Sequence, residues 1–162
     1  MSALNFRQPY AYISSNVTQA IDDTTLAQAV TFEINNALNK FTHSTSVNPE
    51  RLYADDDGTY LFTVTGQLDL SAGASQTLDM WWRVNGTDVA YSNNSSFVTN
   101  PGDLRVLTKA ELLVDLNRGD YVECVMSGSS ISLRLLTVAA GVTPTRPAIP
   151  SVEIVAVRVS VT

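Results

Sequence analysis

The sequence predicts an all-β fold, an antiparallel sandwich or barrel of about eight to ten short strands. Three observations predict it. Apolar residues recur at every second position in run after run, the period of a strand with one buried face. Turn sequences rich in Gly, Asn, Asp and Pro close those runs at short spacing. No stretch reads as a helix in preference to a strand.

The pattern is plainest in residues 55 to 86. Tyr60, Phe62, Val64, Leu68 and Leu70 share one parity, with Leu61, Thr63, Thr65, Gln67 and Asp69 on the other. Leu78, Met80, Trp82 and Val84 repeat the alternation opposite Asp79, Trp81 and Arg83. Asn85-Gly86 then supplies the dipeptide that a tight hairpin with two positive φ angles prefers. These runs are expected to form the centre of one twisted antiparallel sheet.

Residues 1 to 9 are polar, without period, and end in Pro9, and so read as an N-terminal arm ahead of a single domain over residues 10 to 162. Residues 10 to 14 and 26 to 34 read as outer strands, the second sharing a parity at Leu26, Val30, Phe32 and Ile34 and ended by Asn35-Asn36. A helix over residues 22 to 38 is the alternative; the β-branched and aromatic run Val30-Thr31-Phe32-Glu33-Ile34 favours strand. Residues 88 to 92 and 96 to 99 are short strand candidates before the turn Asn100-Pro101-Gly102-Asp103. Three runs, residues 111 to 116, 121 to 126 and 131 to 135, then follow around two turns and are expected to make a meander. In the closing run Val155, Val157, Val159 and Val161 share one face, with Val152, Ile154 and Ala156 on the other. A strand apolar on both faces is expected to be covered on both.

With 162 residues, a net charge of −6 and only 16% charged residues, the chain fits one domain. It lacks the basic footprint of a nucleic-acid or anionic-membrane partner. Cys124 is the single cysteine; it excludes an internal disulfide and reads as a small buried apolar side chain. The first residues lack the basic start and apolar core of a signal peptide, and no apolar run approaches the ~20 residues of a membrane helix, so synthesis in a cytosol is expected. His43 is the only histidine and, in a polar loop, reads as a surface residue. With no base near a nucleophile, no catalytic residue and no cofactor are expected. Asp55-Asp56-Asp57-Gly58 reads as a solvated hairpin turn, since calcium loops space their ligands at alternate positions, and no metal is expected. Arg118-Gly119-Asp120 reads as turn chemistry, as do the Asn-x-Ser/Thr triplets.

Gly58-Thr59-Tyr60-Leu61-Phe62, Trp82-Arg83-Val84-Asn85-Gly86-Thr87, Leu116-Asn117-Arg118-Gly119-Asp120-Tyr121-Val122 and the closing apolar strand resemble, in order and spacing, the jelly roll shared by the complement globular head and tumour necrosis factor. The resemblance covers about residues 26 to 162. It implies a two-sheet antiparallel jelly-roll sandwich, a homotrimer, and aromatics near the trimer axis. The trimer interface is then expected at Tyr60, Phe62, Val155 and Val157. The Pro-Ala-Ile-Pro-Ser-Val segment before the last strand and Arg83-x-Asn85-Gly86-Thr87-Asp88 resemble jelly rolls among the virion proteins of tailed bacteriophages. That resemblance implies a non-enzymatic capsid decoration protein on the virion surface, partnered by itself and by the major capsid protein, which the arm would contact through Leu4, Phe6 and Arg7. The alternative it implies is the trimeric tip of a head or tail fibre, binding a host receptor or glycan.

Overall fold

A computed structural model describes residues 8–99 and 106–161, in which all regular structure is strand. Six strands, β1 Tyr10–Ser15, β2 Gln19–Ala20, β3 Gln28–Ala29, β4 Ile34–Asn39, β5 Phe41–His43 and β6 Leu52–Ala54, lead into the long β7 Gly58–Leu70. Then come β8 Gln76–Val84, β9 Thr87–Asp88, β10 Asn94–Val98, β11 Val106–Leu116 and β12 Tyr121–Gly128. The chain ends with β13 Leu133–Leu135, β14 Gly141–Val142, β15 Thr145–Arg146 and β16 Val152–Ser160.

These strands form two antiparallel sheets and one small hairpin, β14-β15. In the first sheet β7 carries β11 along one side and, end to end on its other side, β16 and β13; β1 and then β4 continue beyond β16, and β2 lies beyond β13. The second runs β10-β8-β12-β6-β5, with β3 beside β12 and β9 beside β8. The alternating residues do as their parity requires: Tyr60, Phe62, Val64, Leu68 and Leu70 of β7 and Leu78, Met80 and Trp82 of β8 are all fully buried. Phe62 meets the Trp82 ring at 5.9 Å and the edge of Phe41 at 6.1 Å, and Tyr60 Oη keeps its hydrogen bond by donating to Asp56 O at 2.7 Å.

Four expectations about pairing need correction. β7 and β8 lie in opposite sheets and face each other across the core. Residues 111 to 135 are not a meander, because β11 and β13 belong to the first sheet and β12 to the second. Alternation fixes which face of a strand is buried but not which strand lies beside it; a short connection spans the ~10 Å between sheets as readily as it turns within one. Within residues 26 to 34 only Gln28–Ala29 forms a strand, and Leu26 is exposed. Asn35-Asn36, read as a stop, instead opens β4, because both side chains find partners: Asn36 Nδ2 donates to Ser14 Oγ at 2.8 Å and Asn35 Nδ2 to His43 O at 3.2 Å.

His43 is therefore not a surface residue. It is buried, with Nδ1 2.6 Å from Asn35 Oδ1 and Nε2 3.0 Å from Pro49 O. The Asp55-Asp56-Asp57 segment is a crossing from β6 to β7, hence from one sheet to the other, rather than a hairpin turn. Its carboxylates diverge: Asp55 accepts from Thr42 Oγ1, Asp56 pairs with Lys40 and Arg158, and Asp57 accepts from Arg118 N. Gly58 ends it where the last strand presses closest, a Cβ there falling 2.5 Å from Arg158 Cδ and 2.7 Å from Ser160 O. At Asn85-Gly86 the expected hairpin forms, with φ of 50° and 78° and Val84 paired to Thr87.

Candidate assembly interface

The first sheet buries one face in the core and leaves the other to solvent. That outer face is built by residues of the unburied parity on β1, β16, β7 and β11, four strands in lateral contact. Register puts Tyr10 beside Val157, Val157 beside Leu61, and Leu61 beside Leu113. One row of four apolar side chains thus crosses the sheet at the ~4.8 Å strand spacing. The next row runs Tyr12, Val155, Thr63, Glu111, and the third ends in Glu153, Thr65 and Lys109. Val155 is 45% exposed and Leu113 64%.

Polar groups rim this strip instead of interrupting it. Tyr12 Oη donates to Glu153 Oε2 at 3.0 Å, and that hydrogen bond, with some burial, holds the phenol above its ordinary pKa. Lys109 pairs with Glu111 at 2.7 Å and keeps its carboxyl below the usual range. Thr59 Oγ1 donates to Asp115 Oδ1 at 2.6 Å. The strip is therefore an apolar band with hydrogen-bonded charges at its edges, an apolar centre within a polar rim.

Of the expected interface residues, the structure places Val155 and Val157 on this band. Tyr60 and Phe62 are a correction: both are sealed inside the sandwich by their own chain. The aromatic parity of β7 is the core parity, and the outward parity carries Leu61. Tyr10, Tyr12, Leu61 and Leu113, which sequence reasoning did not single out, share this face with Val155 and Val157. Their signal was present, since Leu61 and Leu113 are large apolar residues on strand parities that are mostly polar, Leu107 being the other exception on β11. The arm residues Leu4, Phe6 and Arg7 lie outside the described residues, whereas Gln8 and Pro9, assigned to the arm, belong to the domain: Pro9 is buried and its carbonyl accepts from Arg158 N at 3.0 Å.

Elsewhere the candidate reactive groups are engaged. Cys124 is buried among apolar neighbours, which pushes its thiol pKa up. Asp120 of the Arg-Gly-Asp tripeptide accepts from Asn85 Nδ2 and Asn117 N at 2.8 Å each, so its carboxylate serves the turn. Among the described residues no three His, Cys, Asp or Glu side chains converge as a metal site would require.

No family model matches the chain, and no curated protein matches it. Among solved structures it is similar to the globular domain of zebrafish complement 1qA protein, with a TM-score of 0.58 and 14% identity over 96% of this chain and 100% of that one. The fold is the complement and tumour necrosis factor jelly roll. At that identity the likeness carries architecture alone.

Proposed function

We propose that the chain is a non-enzymatic assembly protein, a homotrimer that decorates and cements a bacteriophage capsid. The observation that carries the assembly reading is the apolar row Tyr10, Val157, Leu61, Leu113 on the outer face of a sheet whose other face already fills a core. A row of this kind on a lone soluble domain costs solubility without giving stability in return. Closing three copies about an axis covers it with identical surfaces, and each copy contributes the same band. The virion setting is supported by the two sequence segments that resemble phage virion proteins, and in it the partners are further copies of the chain and the major capsid protein.

Light scattering on the purified protein tests the trimer, with a monomer mass at micromolar concentration as the refuting result. Mixing the protein with capsids that lack it and pelleting them tests the cementing role; protein left wholly in the supernatant refutes it. Deleting residues 2 to 7 in the same experiment tests the arm, whose loss is expected to abolish pelleting while leaving trimer melting unchanged. A second reading, a fibre tip that touches a host surface, is favoured by one observation, a hollow beside Trp81 and Tyr91 on the second sheet.

A further inference from the structure

The outer face of the second sheet is unlike that of the first. Trp81 of β8 points outward, and its cross-strand neighbour Val125, on the same face, is fully buried. The indole is fixed in place: Nε1 donates to Asp88 Oδ1 at 2.8 Å, and Arg83 Nε donates to the same oxygen at 2.6 Å. Beside it, residues 89 to 93 bulge between β9 and β10. This bulge is stapled to β8, since Val89 N donates to Trp82 O at 2.9 Å, Trp82 N donates to Ser92 Oγ at 3.1 Å, and Ser92 Oγ donates to Val89 O at 2.8 Å. At its tip Tyr91 has φ of 63° and a fully exposed side chain. A bulky residue held in left-handed conformation with its ring in water gains nothing for the fold and costs it backbone energy.

Trp81 and Tyr91 line a hollow of about 350 Å³ together with Asp79, Asp88, Asn93 and Ser127. That size lies at the low end of the ~300–1,000 Å³ of small-molecule sites. We infer that this hollow is a carbohydrate-binding site for a neutral pyranose, such as the terminal sugar of a surface glycan. Aromatic faces carry negative charge density and attract the weakly positive C–H face of a sugar ring. The carboxylates offer acceptors to its hydroxyls. Asp79 takes both of its hydrogen bonds, from Ser95 Oγ and Asn93 Nδ2, on Oδ1, and Asp88 takes both of its own on Oδ1. In each case Oδ2 is left to accept from a ligand. Ser127 Oγ and the Asn93 amide supply donors for the sugar's oxygens.

Two other ligand classes fit less well. Acidic sugars and phosphates meet two carboxylates on a chain of net charge −6 and are repelled. A quaternary ammonium would welcome the aromatics but leave the hydroxyl and amide of Ser127 and Asn93 unmatched, and Arg83 already neutralises Asp88.

The inference names the ligand class of the second reading above, and its chemistry does not depend on the virion setting. The test is saturation-transfer NMR and titration calorimetry on the full chain with glucose, galactose, mannose, N-acetylglucosamine and their disaccharides. Sialyllactose and choline serve as the competing probes. The expected result is millimolar binding of at least one neutral sugar. Affinity should fall about tenfold in Tyr91→Gly, which removes the ring while relieving the strained φ and so keeps the protein folded, and should fall similarly in Trp81→Ala. Absence of binding by every neutral sugar, preference for sialyllactose or choline, or a Tyr91→Gly protein that binds as before would each overturn it. Because these measurements use purified protein, their failure leaves capsid pelleting untouched, and failure to pellet leaves sugar binding untouched.

Discussion

Replacing Val155 with aspartate separates assembly from folding. Val155 sits mid-strand on β16 between Tyr12 and Thr63 and is 45% exposed in the single chain. Fully burying a valine contributes about 1.5–3 kcal/mol, so completing its burial contributes roughly 1 kcal/mol per subunit and roughly 3 kcal/mol to a trimer. A carboxylate in its place forfeits that and seals an unpaired charge beside Glu153, a loss of at least about 2 kcal/mol per copy. Three copies then raise the apparent dissociation constant by more than about a thousandfold, at tenfold per 1.4 kcal/mol. Within the single chain the same change costs only about 1 kcal/mol in strand preference. Light scattering and sedimentation should give a monomer at concentrations where the parent is trimeric, with circular dichroism still that of a β sandwich. Val142→Asp, on the β14-β15 hairpin and away from the band, is the control and should stay trimeric. A Val155→Asp protein that remains trimeric would falsify the placement of the interface on this face.

Phe62→Ala empties the centre of the aromatic cluster with Phe41, Tyr60 and Trp82 and should cost about 3–5 kcal/mol in denaturant unfolding; a loss below about 1 kcal/mol would show that the core closes over the gap. Hydrogen bonds from Asn85, and from Asn117, hold the Asp120 carboxyl below its ordinary pKa, so its contribution is complete above the unfolded value of about 3.9 and is lost as pH falls through the lower folded one. Asp120→Asn should accordingly lower the melting temperature at neutral pH, leave it nearly unchanged once pH falls below the folded value, and so flatten the acid limb of the curve; an unchanged acid limb would count against that assignment. Adding millimolar calcium should leave the melting temperature where it was, because the Asp55-Asp56-Asp57 carboxylates diverge; a rise above about 5 °C would reveal a site.

How legible this molecule is in its sequence depends on which question is asked. Face assignments could be read directly, because a period of two is a local property: every β7 and β8 residue expected inside is inside, apart from Val84, which is only half-buried. Neighbour assignments could not. The partner of β7 on one side is β16, about ninety positions away, and nothing in the local pattern of residues 60 to 70 specifies it. The same limit misplaced Tyr60 and Phe62. Tyr60 and Phe62 stood out because aromatics attract notice, yet in a strand with a strong apolar parity the aromatic positions belong to the core. The informative residues were the exceptions on the other parity, Leu61 and Leu113, whose alignment into one row with Tyr10 and Val157 exists only after four strands are assembled. His43 and the Asn35-Asn36 pair failed for a related reason, since each has a partner distant enough in sequence that composition reads it as polar and solvated.

The two outer faces divide the labour of the sandwich in a way that bears on both proposals. The first sheet presents an apolar band with its charges at the margins, and the second presents Arg51 bonded to Glu123 at 2.9 Å and stacked over Tyr121, with Arg83, Asp88 and Trp81 alongside. Burying the second face would desolvate these ions, whereas on the first the row Tyr10, Val157, Leu61 and Leu113 can be buried with the ions left at its margins. Association is thus favoured through one sheet and disfavoured through the other. A trimer closed on the first sheets therefore leaves the Trp81 and Tyr91 hollow of each subunit on its outside, three open sites on one rigid body. Millimolar affinity at a single hollow suffices under that arrangement, because a second and third contact with a dense glycan surface become intramolecular and can raise overall avidity by about 10²–10⁴. The Val155→Asp monomer should then bind free monosaccharide as tightly as the trimer does and lose retention on a glycan-coated surface. Equal retention of monomer and trimer would mean that the hollow, if it binds sugar, gains nothing from assembly.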